Sequence, residues 1–169
     1  MPERGTPERG GTSGEAAVRV ADEAEIEAVH AIRKEVFVVE QGIPDEAEWD
    51  AYDGADLGTV HLLAADADGE PLGTVRMLTG AVASAKNGGH ERDAVLGRLA
   101  VLGAARGTGL GATLVRALEA EARRLGLAGV YLEAQVQVVP FYERLGYRGF
   151  GPLFDDGSGI QHRAMRKAL

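Results

Sequence analysis

The chain has no cysteine, so disulfides, thiolate nucleophiles and acyl-thiol intermediates are excluded. It has no run of 18 apolar residues, so no membrane-spanning helix is expected. Basic residues are in deficit: 18 Lys and Arg face 26 Asp and Glu, for a net charge of −8. Nucleic acid needs clustered cations to neutralise phosphates, so it is not an expected partner; the charge suits a soluble protein or a cationic partner. Met1 to Gly14 lacks an apolar h-region and does not read as a secretory signal, so the expected location is the cytoplasm. His30, His61, His90 and His162 are far apart with no ligand-type spacing, so no metal is expected. Asp66-Ala67-Asp68-Gly69 lacks the other ligands of a calcium loop, and no G-x-S-x-G surrounds a serine.

At 169 residues the chain is long enough for one domain with a sizeable core. Residues 1–15, with PERG twice, read as a disordered low-complexity tail, and 16–169 as the domain. Ala17–Ala21 reads as a strand. Asp22 with Glu25 reads as a capping box, opening a helix that carries Ile26, Val29, Ile32, Arg33, Val36 and Phe37 at helical spacing. Gly42-Ile43-Pro44 stops it, and residues 40–56 follow with seven acidic groups and no basic one. Thr59–Ala65 and Pro71–Thr79 form a hairpin across Asp66–Gly69, and Gly80–Arg92 reads as a polar loop. Val95–Leu102 is the next strand. A helix with Leu110, Leu114, Leu118 and Leu125 on one face follows, ended by Gly126. Strand Gly129–Ala134, a short helix Val138–Leu145 and strands Tyr147–Phe150 and Gln161–Met165 complete the order β-α-β-β-β-α-β-α-β-β. This is a mixed α/β sheet, since a doubly wound fold would alternate strand and helix throughout.

The junction between Val95–Leu102 and its helix reads Arg106-Gly107-Thr108-Gly109-Leu110-Gly111. Three glycines leave backbone N–H groups uncovered at a helix N-terminus, where the helix dipole reinforces them. That arrangement suits a phosphate or diphosphate, and Arg106 adds a charge for its edge. The Walker Lys-Ser/Thr pair is absent, which argues against ATP hydrolysis. Gly107-x-Gly109-x-x-Ala112 also satisfies the dinucleotide pattern, with Glu133 as the ribose-binding acid. Against that, the first glycine trails its strand by several residues, and only about 60 residues remain for further βα units.

The element order, the loop motif Arg106, Gly109 and Gly111, and the later Phe141-Tyr142-Glu143-Arg144-Leu145-Gly146-Tyr147 together resemble the GNAT superfamily of N-acetyltransferases. The resemblance covers roughly residues 17–167. It implies a GNAT-type mixed, mostly antiparallel sheet flanked by helices. Arg33, Val36 to Gln41, Asp50 to Asp53, Ala134-Gln135 and Gly159 to His162 are similar to the ElaA-like branch, though that branch usually has proline where this chain has Gln161. Arg33, Phe37, Asp50, Tyr52, Asp53 and Arg76 also echo acyl-homoserine-lactone synthases, which generally lack an R-x-x-G-x-G loop.

The resemblance implies acetyl-CoA as cosubstrate and no metal. The diphosphate would sit on the amides of Arg106, Gly107, Thr108, Gly109, Leu110 and Gly111. The pantetheine arm would pair with the backbone of Leu99, Ala100 and Val101, whose side chains read as sheet core. Gln135 holds the position where the family often has an asparagine facing the cofactor, and a surface glutamine is the other reading. Tyr142 would be the general acid: a phenol of ordinary pKa about 10 stays protonated at neutral pH and can protonate a thiolate of pKa about 8.5. The alternative is a packing aromatic, a role that suits Phe141 better. An acceptor amine of pKa about 10.4 needs about 4–5 kcal/mol to lose its proton at pH 7, so a base should help. The family's usual glutamate on the fourth strand is missing from Val95–Val101; Glu133 is the first substitute, then Glu40, Asp53 and His162.

The acidic segment 40–56 falls where the family builds its acceptor wall and would favour a cationic amine; a solvated loop is the other reading. Trp49 and Tyr52 would pack on the amine stem or anchor the loop. The expected activity is acetyl transfer from acetyl-CoA to a small cationic amine, by direct attack in a ternary complex. A non-catalytic acyl-CoA-binding module and a lactone-synthase-like acyltransferase are the alternatives. The implied partner is a small-molecule amine, with a homodimer left open.

Overall fold

The computed structural model describes residues 16–54 and 57–169; the tail, residues 1–15, lies outside the described residues, as do Ala55 and Asp56 of the acidic segment. Strand β1 (Ala17–Val20) leads into the expected capping box: Asp22 accepts the Glu25 N–H, and the Glu25 carboxylate accepts the Asp22 N–H. After a 3₁₀ turn comes helix α1 (Ile26–Arg33), which continues as a wider π-helix over Lys34–Glu40. One regular helix was expected here. Val36, Val38 and Val39 branch at Cβ and crowd the preceding turn, which makes this run poor material for a tight α-helix.

The remaining elements are α2 (Asp45–Glu48), β2 (Val60–Ala65), β3 (Pro71–Leu78), α3 (Gly80–Asn87), β4 (Asp93–Val101), α4 (Leu110–Arg124), β5 (Gly129–Gln135), α5 (Val139–Arg144), β6 (Arg148–Asp155) and β7 (Gln161–Ala168). The seven strands form one sheet in the order β1-β2-β3-β4-β5-β7-β6. β4 runs parallel to β5, whereas β1 with β2, β5 with β7 and β6 with β7 are antiparallel. The expected order of strands and main helices holds, with two corrections: Asp45–Glu48 is the short helix α2, and Gly80–Asn87 is helix α3, not loop. Ala81, Ala83 and Ala85 supply helix propensity there, and Asn87 ends the helix by bonding its side chain to His90 and Asp93.

The chain divides into two units by its contacts. One gathers the described residues up to Arg76 with Arg98–Leu118; the other gathers Met77–Gly97 with Glu119–Leu169. In the first, β1 and β2 pair from Ala17↔Ala65 to Val20↔Leu62. Val29, Ile32 and Val36 pack on Leu63 and Ala100, with Ala28, Phe37 and Leu102 around them. Each such aliphatic side chain contributes about 1.5–3 kcal/mol when fully buried. Leu110, Leu114 and Leu118 of α4 are buried as their spacing requires, but Leu125 is 45% exposed, because the helix ends one residue before it. Gly73 of β3 sits in a tight place: a Cβ there would lie 3.0 Å from both the Ala100 carbonyl oxygen and Leu114, so a neighbour would have to give way.

In the second unit, β5 pairs with β7 from Gly129↔Ala168 to Gln135↔His162. Val130, Leu132, Ala134 and Met165 are buried along that pair. Asp93 takes a two-pronged bond from Arg166, at 2.7 and 2.9 Å. Buried Glu119 accepts the Tyr147 hydroxyl at 2.9 Å and Lys167 Nζ at 3.1 Å.

Candidate active site

The glycine motif expected to hold a phosphate forms the turn between β4 and α4. Gly107 and Gly109 have φ of +81° and +86°, the left-handed region that side chains avoid, and a Cβ on either would meet nothing. Residues 106–109 form a turn, and among the described residues the amides from Gly107 to Gly111 make no close, well-aligned bond to a backbone carbonyl; Thr113 is the first of α4 to make one outside the helix, to Gly109 at 3.1 Å. Thr108 turns its hydroxyl away to the Ala105 carbonyl at 2.6 Å. The result is an exposed turn over residues 106–109 at the positive end of a 15-residue helix, with Leu110 buried and Gly111 half-buried behind it, a setting that favours an anion. Arg106 is less available than expected. Its Nε donates to the Val101 carbonyl at 2.9 Å, and its guanidinium pairs with Glu40.

Upstream, the parallel ladder between β4 and β5 covers only Asp93↔Gly129 to Val95↔Tyr131. Arg98 follows with φ +53°, the one described non-glycine residue in the left-handed region. Such a residue inside a strand departs from regular extended geometry and re-aims the backbone after it. Leu99, Ala100 and Val101 lie just past that kink; Ala100 is buried in the core and the other two are half-buried.

The acidic segment is not an open wall of negative charge. Arg33, fully buried on α1, donates to Glu48 through Nε and to both Asp53 oxygens, at 2.7 and 3.1 Å. Arg76 on β3 donates to Asp50 at 2.8 Å and Asp53 at 3.1 Å. Arg98 donates to Asp50 at 3.0 Å and to the Glu48 carbonyl at 3.2 Å. Three guanidiniums therefore meet three carboxylates, and Glu40 and Asp45 have cationic partners in Arg106 and Lys34. The electrostatic argument for a cationic acceptor is lost for these carboxylates, because their charge is already matched. Trp49 anchors the loop: Arg33 stacks on its ring at 4.5 Å, His61 lies parallel to it at 5.8 Å and His30 meets it edge-on at 4.7 Å.

These contacts also correct two of the candidate bases. Burial alone would raise the Asp53 carboxyl, but Arg33 and then Arg76 hold it well below the usual carboxylate range, so it is a poor proton acceptor. Glu40 is tied to Arg106. His61, which the sequence did not single out, is buried, with Nε2 3.8 Å from Asp53 and neither ring nitrogen hydrogen-bonded among the described residues; burial lowers its pKa. The buried arginines were legible only through Arg33, an arginine on the apolar face of its helix. Such a residue needs carboxylate partners.

The other candidates belong to the second unit. Tyr142 on α5 is buried, more so than Phe141, which reverses the expectation that Phe141 is the packing residue. Its ring meets Phe141 at 4.9 Å and Tyr147 at 5.7 Å, both edge-on, and burial pushes its phenol above the ordinary range. Glu133 is exposed on β5 and accepts the Tyr131 hydroxyl at 2.6 Å. Gln135 ends that strand half-buried, with its Oε1 accepting from Gln137. His162 is buried, with Nδ1 2.8 Å from the Ile160 carbonyl and Nε2 3.4 Å from Asp156. Among the described residues no cluster of three His, Cys, Asp or Glu could hold a metal ion, and no helix is long and apolar enough to cross a membrane.

Comparison with known proteins adds an independent line. The profile described as the Acetyltransferase (GNAT) family matches residues 26–147. A Bacillus subtilis protein named uncharacterized N-acetyltransferase YjcF is 33% identical over 151 residues, covering 89% of this chain and 98% of its own length. The crystal structure of an acyl-CoA N-acyltransferase from Pseudomonas aeruginosa is similar with a TM-score of 0.75 and 34% identity, over 90% of this chain and 99% of that one. Escherichia coli ElaA is similar with a TM-score of 0.70 and 25% identity, over 90% of this chain and 99% of its own.

Proposed function

The chain belongs to the acetyltransferase (GNAT) family, and from that premise we propose that it moves an acetyl group from acetyl-CoA to a small amine in the cytoplasm, by direct attack within a ternary complex. The observation that carries this reading is the exposed glycine turn over residues 106–109 at the start of α4. A diphosphate needs several hydrogen donors and a positive field, and a glycine turn opening a 15-residue helix supports that reading without a lysine. The acyl-CoA chemistry in the name of the Pseudomonas aeruginosa relative is in keeping with a coenzyme A diphosphate there.

In this reading the amides from Arg106 to Gly111 hold the diphosphate, and the backbone of Leu99, Ala100 and Val101 pairs with the pantetheine arm. A backbone N–H of that strand steadies the thioester oxygen as it gains charge. Gln135 faces the cosubstrate. The amine nitrogen bonds to the carbonyl carbon, the carbon–sulfur bond then breaks, and the acetyl group leaves on nitrogen. Glu133 takes the proton the amine gives up, and Tyr142 supplies a proton to the departing thiolate. Burial keeps the phenol protonated at neutral pH and, by the same shift, makes it a weaker donor to the thiolate. With no cysteine in the chain, no acyl-thiol enzyme intermediate forms.

Calorimetry with coenzyme A and with NADH tests the binding half. CoA should bind, and binding of NADH alone would move the assignment to the dinucleotide class. The catalytic half is tested by CoA release over a panel of amines, comparing the unaltered chain with Tyr142→Phe. The variant should bind CoA normally and turn over about 10²-fold more slowly. Equal rates would remove the tyrosine from the chemistry. Tight CoA binding with no turnover of any amine would make the chain an acyl-CoA-binding module.

A further inference from the structure

Arg98 is an unusual choice for its position. Its φ of +53° is ordinarily left to glycine, and Gly97 stands next to it without taking that conformation. The side chain explains the choice: its NH2 donates to Asp50 at 3.0 Å and its Nε to the Glu48 carbonyl at 3.2 Å. Asp50 is itself fixed. Its Oδ1 accepts the Tyr52 N–H at 3.0 Å and Arg76 at 2.8 Å, so one carboxylate grips arginines on β3 and β4 at once. Past Arg98, the Val101 carbonyl accepts Arg106 Nε at 2.9 Å, which ties the end of β4 to the first residue of the glycine turn.

We propose that Arg98 is a positioning residue for acetyl-CoA: its guanidinium, bolted to Asp50 and to the Glu48 carbonyl, holds the left-handed peptide that aims the Leu99 to Val101 backbone at the pantetheine arm. This rests on the acetyl-CoA reading above. An unanchored chain at this point relaxes toward regular extended geometry, because a side-chain-bearing residue disfavours the left-handed region. The relaxed strand rotates its amides away from where the arm needs them, while the diphosphate turn stays intact.

The test uses the full chain and three variants. Arg98→Ala removes the bolt but keeps a Cβ that disfavours the positive φ, Asp50→Asn removes the anion, and Arg98→Lys keeps the charge without the fork. Arg98→Ala and Asp50→Asn should raise KM for acetyl-CoA about tenfold while kcat at saturation stays within about twofold. Arg98→Lys should recover part of the loss. Hydrogen exchange should quicken at Leu99 to Val101 and stay unchanged in α4. Should one variant fail to fold, the others carry the same readouts. An unchanged KM with unchanged local exchange would overturn the proposal. So would a uniform loss of protection with KM and kcat worsening together, the mark of a purely structural residue. If the unaltered chain binds no CoA, the acetyl-CoA reading itself falls, and that result is seen before any variant is made.

Discussion

Asp53 stands at the crossing of the buried charge network, accepting from Arg33 at 2.7 Å and Arg76 at 3.1 Å. Replacing it with asparagine keeps the shape and leaves two buried guanidiniums short of a counter-charge. Breaking a buried pair in this way costs about 3–5 kcal/mol, so Asp53→Asn should unfold at clearly lower denaturant with an unchanged m-value. Acid acts on the same group. Its folded pKa lies below the unfolded value of about 3.9, so its contribution is fully present above that pH and is lost as pH falls through the folded pKa. His61 titrates in a higher window. Burial lowers its folded pKa, so below the unfolded value of about 6.5 the unfolded chain binds the extra proton and stability falls. The melting temperature should therefore decline as pH is lowered from about 6.5, and His61→Gln should flatten that decline. An unaltered slope in the variant would assign the decline to another group.

The turn between β4 and α4 works as an element rather than through any one side chain. Gly109→Ala should weaken CoA binding at least tenfold by calorimetry, because alanine resists the φ of +86° on which the direction of the following amides depends. Secondary structure measured by circular dichroism should be unchanged, since a Cβ at this position meets nothing. Elements set by local chemistry were readable in the sequence: the Asp22–Glu25 box, the hairpin at Asp66–Gly69, the leucines of α4 and the glycine turn. Helix α3 was not, because alanines among polar residues carry no strong period. The kink at Arg98 was not either, since it is written in partners at positions 48 and 50, far along the chain. The acidic run misled for the same reason: a carboxylate's partner can come from any strand, and three of these arginines lie outside the run.

At the scale of the whole molecule, a ligand that binds only the folded state stabilises it by mass action. At about 100 times its Kd, CoA should add about 2.7 kcal/mol, or about 5–10 °C in Tm for a chain of this size, whereas NADH should add nothing. A shift with NADH and none with CoA would contradict the assignment. The net charge of −8 should keep the protein soluble without deciding its acceptor, since the carboxylates of the acidic loop with described side chains have cationic partners. The threefold match of arginines and acids bears on engineering. A chimaera that transplants residues 48–53 from a relative, in the hope of changing acceptor preference, would break a balanced internal salt unless the residues at 33, 76 and 98 travel with it. A library confined to that loop would mostly sample destabilised protein.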